Sequence, residues 1–154
     1  MDENMLFPMQ QQITAARREL SECSAYSGKF GLALSETEIT ELIAGREEAL
    51  RASGRIEFSG GILPKLIRAF CGSPFIGQEN YAAVLADLQE AFYYFKTEAH
   101  DRLSDDELIE LMLKIFNGRA QGSVEYLTGV SPETLVRCAR SGFDPHGEKA
   151  GDLF

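Results

Sequence analysis

Apolar residues recur at intervals of three and four along most of this chain, the period of helices that turn one face to a core. The clearest instance is Glu79 to Arg102, ENYAAVLADLQEAFYYFKTEAHDR, which the spacing predicts as one long helix. At ~100° per residue, Tyr81, Val84, Leu85, Leu88, Phe92, Phe95, Ala99 and Leu103 share one side. The opposite side carries Asp87, Glu90, Tyr94, Glu98 and Asp101, an acidic stripe with a tyrosine at its centre. A third face holds Ala82, Ala86, Gln89, Tyr93, Lys96 and His100. Small residues there let another backbone come close. The helix is therefore read as the central element of a bundle, or as one shared between the core and a homodimer interface.

The same period predicts further helices. From Pro8, apolar positions Met9, Ile13, Ala16, Leu20 and Cys23 make a stripe that stops at Gly28. Residues 1 to 7 read as a short arm, with Met5, Leu6 and Phe7 placed to dock on the core. Ser35 followed by Glu38 forms a capping box, and Ser104 followed by Glu107 forms another. Behind the first, Ile39, Leu42, Ile43 and Leu50 face inward, and Gly54 ends the helix. Leu63, Leu66, Ile67 and Phe70 mark the next, with Pro64 tolerated in its first turn. Leu108, Leu111, Met112, Ile115 and Phe116 follow the second box. A short helix over Val124 to Leu127 and a last one capped by Ser131, with Pro132 at its first position, complete the series.

Two segments alternate instead. Phe30 to Leu34 alternates with a period of two, which fits a short strand or an extended link, and Arg55 to Phe58 alternates likewise as a second candidate short strand. They are long enough for a two-stranded accessory at most. The fold expected is an all-α bundle of six or seven helices. One helical domain is expected over residues 1 to 141, with residues 142 to 154 a flexible C-terminal tail.

Composition narrows the functional classes. A chain of 154 residues can bury about 70% of its unfolded surface, enough for a core without staples. The net charge is −9, unevenly spread. Residues 1 to 77 carry 8 basic and 10 acidic side chains, and residues 78 to 154 carry 7 and 14. Such a surface repels phosphate backbones and anionic lipid and favours a cationic partner. Cys23, Cys71 and Cys138 are odd in number and widely spaced, which reads as a reducing cytoplasm with buried apolar thiols. The apolar run at the N-terminus is too short for a signal peptide, and no run is long enough for a membrane span.

No motif carries an identifiable chemistry. A di-iron bundle needs a glutamate and a histidine three residues apart on facing helices, and this chain has no such pair. His100 and His146 stand without spaced ligand partners. No nucleophile elbow or cysteine-protease signature occurs. Neither a catalytic residue, a metal nor a cofactor is therefore assigned. Ser59-Gly60-Gly61 before a helix, with Lys65 one turn on, is a turn rather than a phosphate loop.

Three features invite a functional reading. Arg46 falls within an apolar stripe, so it must find a partner or reach water. Glu57 or a carboxylate of the long helix can pair with it, and the alternative is a clamp for a ligand carboxylate. A deep pocket collecting Arg46, Glu57, Tyr93 or His100 would favour a small enzyme or ligand-binding protein. Residues Val124 to Arg137 have the outline of a helix-turn-helix, but Glu125 and Glu133 stand where that motif meets its second helix and DNA phosphates. The stripe of Tyr94, Glu90, Glu98 and Asp101 is either a solvated helix face or an aromatic anchor ringed by carboxylates for a basic protein partner.

Gly54 to Phe58 (GRIEF), Ile62 to Ile76 (ILPKLIRAFCGSPFI), Leu88 to Lys96 (LQEAFYYFK), Leu103 to Leu108 (LSDDEL) and Gly122 to Leu127 (GSVEYL) together resemble a domain-of-unknown-function family of small cytosolic Firmicutes proteins. The resemblance covers about residues 30 to 140. It implies a small cytosolic bacterial protein and transfers no activity or catalytic residue. The leading expectation is a protein-interaction or scaffold module, with a site assembled only in the fold as the alternative.

Overall fold

Two serine side chains set where helices begin. Ser35 Oγ accepts from the Glu38 amide at 3.1 Å while the Ser35 amide donates to Glu38 Oε1 at 2.8 Å. Ser104 and Glu107 repeat the exchange at 3.1 and 3.0 Å. Each box satisfies amides that a helix start leaves without partners. The computed structural model describes the backbone of residues 3–57 and 61–141, and side chains from residue 13 onward.

Among the described residues the elements are α1 (Glu3–Ser27), α2 (Glu36–Ser53), α3 (Leu63–Phe70), α4 (Tyr81–Glu98), α5 (Asp105–Asn117), α6 (Val124–Thr128) and α7 (Pro132–Ser141), with a single 3-10 turn at Gly28–Phe30. The fold is all-α. Helix α4 packs against α2, α3, α5 and α6, α1 lies across α2 and α3, and α7 leans on α5. The core they enclose holds Phe70, Phe92, Phe95 and Phe116 with Leu20, Leu66, Leu85 and Leu88, all nearly inaccessible to water. Phe70 meets Phe116 edge-on at 5.4 Å between centroids, the orientation that aromatic quadrupoles prefer.

Several expectations need correction. One dominant long helix is not found: α4 has 18 residues, as α2 does, and α1 has 25. Helix α4 stops at Glu98 because His100 and Asp101 turn left-handed, with φ of 53° and 58°. Beyond that turn Leu103 still reaches the core, so the apolar stripe outlasts the helix. Helix α1 starts at Glu3 rather than Pro8, absorbing most of the expected arm; the docking of Met5, Leu6 and Phe7 lies outside the described side chains. Ile13 faces outward, 40% exposed.

Neither expected strand forms among the described residues. Gly28 to Phe30 tighten into the 3-10 turn, closed by Gly31 at φ 79°. Leu32 then drops into the core as Ser27 Oγ donates to its carbonyl at 2.9 Å. Arg55 to Glu57 run irregularly between α2 and α3, and Phe58 lies outside the described residues. The expected tail, residues 142 to 154, also lies outside them.

Candidate functional site

Helices α2 and α4 make the most extensive helix–helix contact of the fold. The third face of α4 causes this. Gln89 and Tyr93 are buried against α2, Ala82 is half-buried and Ala86 remains exposed. Opposite them α2 offers Gly45, Ala49 and Ala52. With so little side chain on either wall the two helices leave a groove of about 530 Å3, which Tyr93 and Tyr94 also line. Its polar margin holds the carboxylates of Glu41, Glu48, Glu90 and Glu98, together with Ser53 and Thr97, and among the described residues no lysine or arginine lines it.

Tyr94 sits at a divide. Its ring is 43% exposed, tilts against Phe95 at 5.2 Å, and lines a second cleft of about 580 Å3 bounded by Asp87, Glu90, Val124 and Glu125. It thus places an exposed aromatic ring between two clefts bordered by carboxylates.

Gln89 lies at the floor of the groove, 3% exposed. Its Nε2 donates to the Leu42 carbonyl on α2 at 3.3 Å. Its Oε1 is buried and accepts no hydrogen bond among the described residues. Such an omission costs about 1–3 kcal/mol.

Behind the groove Arg46, Glu57 and Tyr93 come together. Arg46 is 3% exposed, and its Nε lies 3.6 Å from Glu57 Oε1. Glu47 Oε1 lies 3.6 Å from Nη1 of the same guanidinium. The Tyr93 hydroxyl donates to Glu57 Oε1 at 2.7 Å. Burial pushes the Tyr93 phenol far above its ordinary range, the hydrogen bond to Glu57 and that carboxylate's charge push it further, and Arg46 opposes the rise. Gly61, at φ 62°, passes so close that a Cβ there would lie 2.1 Å from Glu57 Oε1 and 2.7 Å from Arg46 Nε. A cleft of about 370 Å3 adjoins the cluster, lined by Arg55, Glu57, Tyr93, Lys96 and Asp105. Its cations are already engaged: Arg55 with Asp101 at 2.8 Å, Lys96 with Asp105 at 2.9 Å and with the Leu103 carbonyl at 2.6 Å.

The residues singled out from sequence thus separate into three places. Tyr94, Glu90 and Glu98 share the rim of the groove. Tyr93 and Arg46 belong to the buried cluster, and Tyr93 reaches the groove as well. Asp101 has left the stripe, because α4 ends before it, and Arg55 holds its carboxyl below the ordinary range by a hydrogen bond. His100 is exposed beyond the end of α4 and is not among the residues that line either the groove or the cleft beside the cluster. The contribution of α2 was not anticipated. Gly45, Ala49 and Ala52, at intervals of four and three, carried its only sequence signal.

Elsewhere the helix-turn-helix outline resolves into a five-residue α6 followed by α7, and Glu133 is engaged by Arg102, which lowers the Glu133 pKa by hydrogen bonding. All three cysteines are buried, and burial raises the thiols of Cys23 and Cys71. Among the described residues no group of three or more His, Cys, Asp and Glu side chains is arranged to hold a metal ion, and no helix is long and apolar enough to cross a membrane.

Fold and surface define an all-α protein with an acidic, small-floored groove between two of its helices. The chain belongs to a protein family of unknown function (DUF6323), whose model matches residues 19–145. Neither a curated protein nor a solved structure matches it.

Proposed function

We propose that the protein is a non-catalytic interaction module of the bacterial cytosol whose α2–α4 groove receives a basic, helical segment of a protein partner. One observation carries this reading: four carboxylates and an exposed tyrosine surround a floor of glycine and alanine, with no basic side chain among the lining residues. A small-residue floor admits a helix closely, the carboxylates favour lysine and arginine on it, and Tyr94 supplies an aromatic anchor. The attraction is screened by salt, so affinity falls as ionic strength rises.

The test is the double substitution Tyr94→Ala with Glu90→Lys. Both positions are exposed, so the fold stays intact by circular dichroism while capture of the partner is lost. Retention of the partner by the folded variant contradicts the reading.

A second reading has one observation in its favour. Arg46, Glu57 and Tyr93 meet beside a cleft, as a ligand site assembled only in the fold would require. The ion pairs that already occupy Arg55 and Lys96 at that cleft favour the groove instead. Homodimerisation through the alanine face of α4 has less support, since Gln89 and Tyr93 of that face are spent within the chain on α2.

A further inference from the structure

We propose that the occupant of the groove is a helix of about four turns, with a stripe of small residues and lysine or arginine on both flanks of that stripe. This rests on the reading of the α2–α4 groove as a docking surface and adds the length and charge pattern of what it receives. The groove continues past Glu41. A further cleft of about 340 Å3, lined by Glu38, Glu79, Ala82 and Ala83, shares Glu41, Leu42 and Ala86 with it, so the two adjoin. Both clefts draw on both helices, and the further one draws on residues nearer the start of each. Helices α2 and α4 therefore lie side by side and parallel, and the joined trough follows their common direction. From Glu38 to Ser53 it runs about 22 Å, at ~1.5 Å per residue, which matches about four turns of a docked helix.

The small-residue floor extends along this length, with Gly45, Ala49 and Ala52 on α2 and Ala82, Ala83 and Ala86 on α4. A helix that turns its own small residues to such a floor approaches it most closely. Charge stands on both walls: Glu38, Glu41 and Glu48 on α2, and Glu79, Glu90 and Glu98 on α4. Among the described residues no lysine or arginine lines either cleft. Glu38 caps α2, and Glu48 shares an exposed pair with Arg51 at 3.1 Å. Glu41, Glu79, Glu90 and Glu98 make no ion pair among the described residues. A helix basic on one flank would leave the carboxylates of the opposite wall uncompensated. Cations on both flanks answer both walls.

The test uses the full chain and two synthetic alanine-based helical peptides of about sixteen residues, identical in composition and net charge. In one, lysines flank an alanine stripe on both sides; in the other, all lysines lie on one side. Titration calorimetry is expected to give at least five-fold tighter binding of the two-flank peptide. NMR amide shifts on adding it are expected to extend from Ala83 to Glu98. Ala83→Leu, which obstructs the further cleft, is expected to weaken that peptide at least five-fold. Ala44→Leu, the same change at an exposed α2 position that lines neither cleft, is expected to leave it unchanged. Equal binding of the two peptides overturns the charge pattern. Shifts confined to residues 86–98, or equal affinity of the Ala83→Leu and Ala44→Leu variants, overturn the length. Each of these leaves the groove reading standing. Failure of both peptides to bind overturns the groove reading and this inference together.

Discussion

The hydroxyl of Tyr93 on α4 donates to the carboxylate of Glu57, 36 residues earlier, at 2.7 Å. That bond ties the back wall of the groove to the segment that follows α2. It also holds Glu57 beside the buried Arg46, with Oε1 3.6 Å from the guanidinium Nε. Tyr93→Phe removes a hydrogen bond to a charged acceptor and is expected to cost about 1.5–3 kcal/mol at neutral pH. The pH dependence follows from the raised phenol. A group whose folded pKa lies above its unfolded value stabilises fully below the unfolded value, near 10, and loses that contribution as pH rises further. The stability gap between the two proteins should therefore narrow above pH 10 in denaturant titrations. A constant gap would mean that Tyr93 is not held neutral by the fold.

Gly61 stands where a side chain would be strained. It combines a left-handed φ of 62° with an approach that puts a Cβ 2.1 Å from Glu57 Oε1. Gly61→Ala should cost about 1–3 kcal/mol from backbone strain alone, and more from displacing Glu57. For a chain of this size each kcal/mol lowers Tm by about 2–4 °C. An unchanged Tm in Gly61→Ala would show that the Arg46–Glu57 pair tolerates rearrangement.

Gly45 gives the opposite expectation. It lies inside α2, where glycine is worse than alanine by about 0.5–1 kcal/mol, and an added Cβ would make only ordinary contact, 3.5 Å from Gln89 Nε2. Gly45→Ala should stabilise the fold by roughly that amount, while Gly45→Leu fills the floor and blocks the partner. A glycine at this position leaves the floor open to close approach. If Gly45→Leu binds the partner as the natural protein does, the floor of the groove is not used.

Acid should weaken the fold through carboxylates that it holds ionised. Backbone and side-chain hydrogen bonds at Ser104 lower the Glu107 pKa, Arg102 lowers that of Glu133, and Arg55 lowers that of Asp101. Depressed values stabilise above the ordinary carboxylate range, 3.8 for Asp and 4.5 for Glu, and that contribution is lost as pH falls through the folded values. Denaturant melts at pH 7, 4.5 and 3 should show stability declining, with a shallower decline in a Glu107→Gln, Glu133→Gln variant. Parallel declines in the two proteins would place the acid sensitivity elsewhere.

The parts legible in the sequence were those with local causes. Two capping boxes marked the starts of α2 and α5 because the serine and glutamate that make them are three residues apart. The core stripe of α4 was legible because burial imposes its period, and every member is buried apart from the half-buried Val84. Where causes were tertiary the reading failed. The end of α4 was hidden because Ala99 and Leu103 stay in phase with the stripe, while the left-handed turn falls on His100 and Asp101, residue types that favour that conformation far less strongly than glycine does. The alternation in Phe30 to Leu34 reflects Leu32 reaching the core from an extended link rather than strand pairing. Tyr94, Glu90 and Glu98 could be named from one helix. The groove they border could not, because its other wall lies on α2 and its floor, Gln89, reads as one more packing residue until the two helices meet.

The most direct measurement is site-specific photo-crosslinking from position 94 of the full chain in its native host, with exposed Arg137 on α7 as the control position. Mass spectrometry of the adducts then locates the attached residues. The account predicts adducts from position 94, absent from position 137, that fall in a single partner segment rich in arginine and lysine with helical spacing. Adducts confined to acidic or uncharged segments, or equal yields from the two positions, would contradict it.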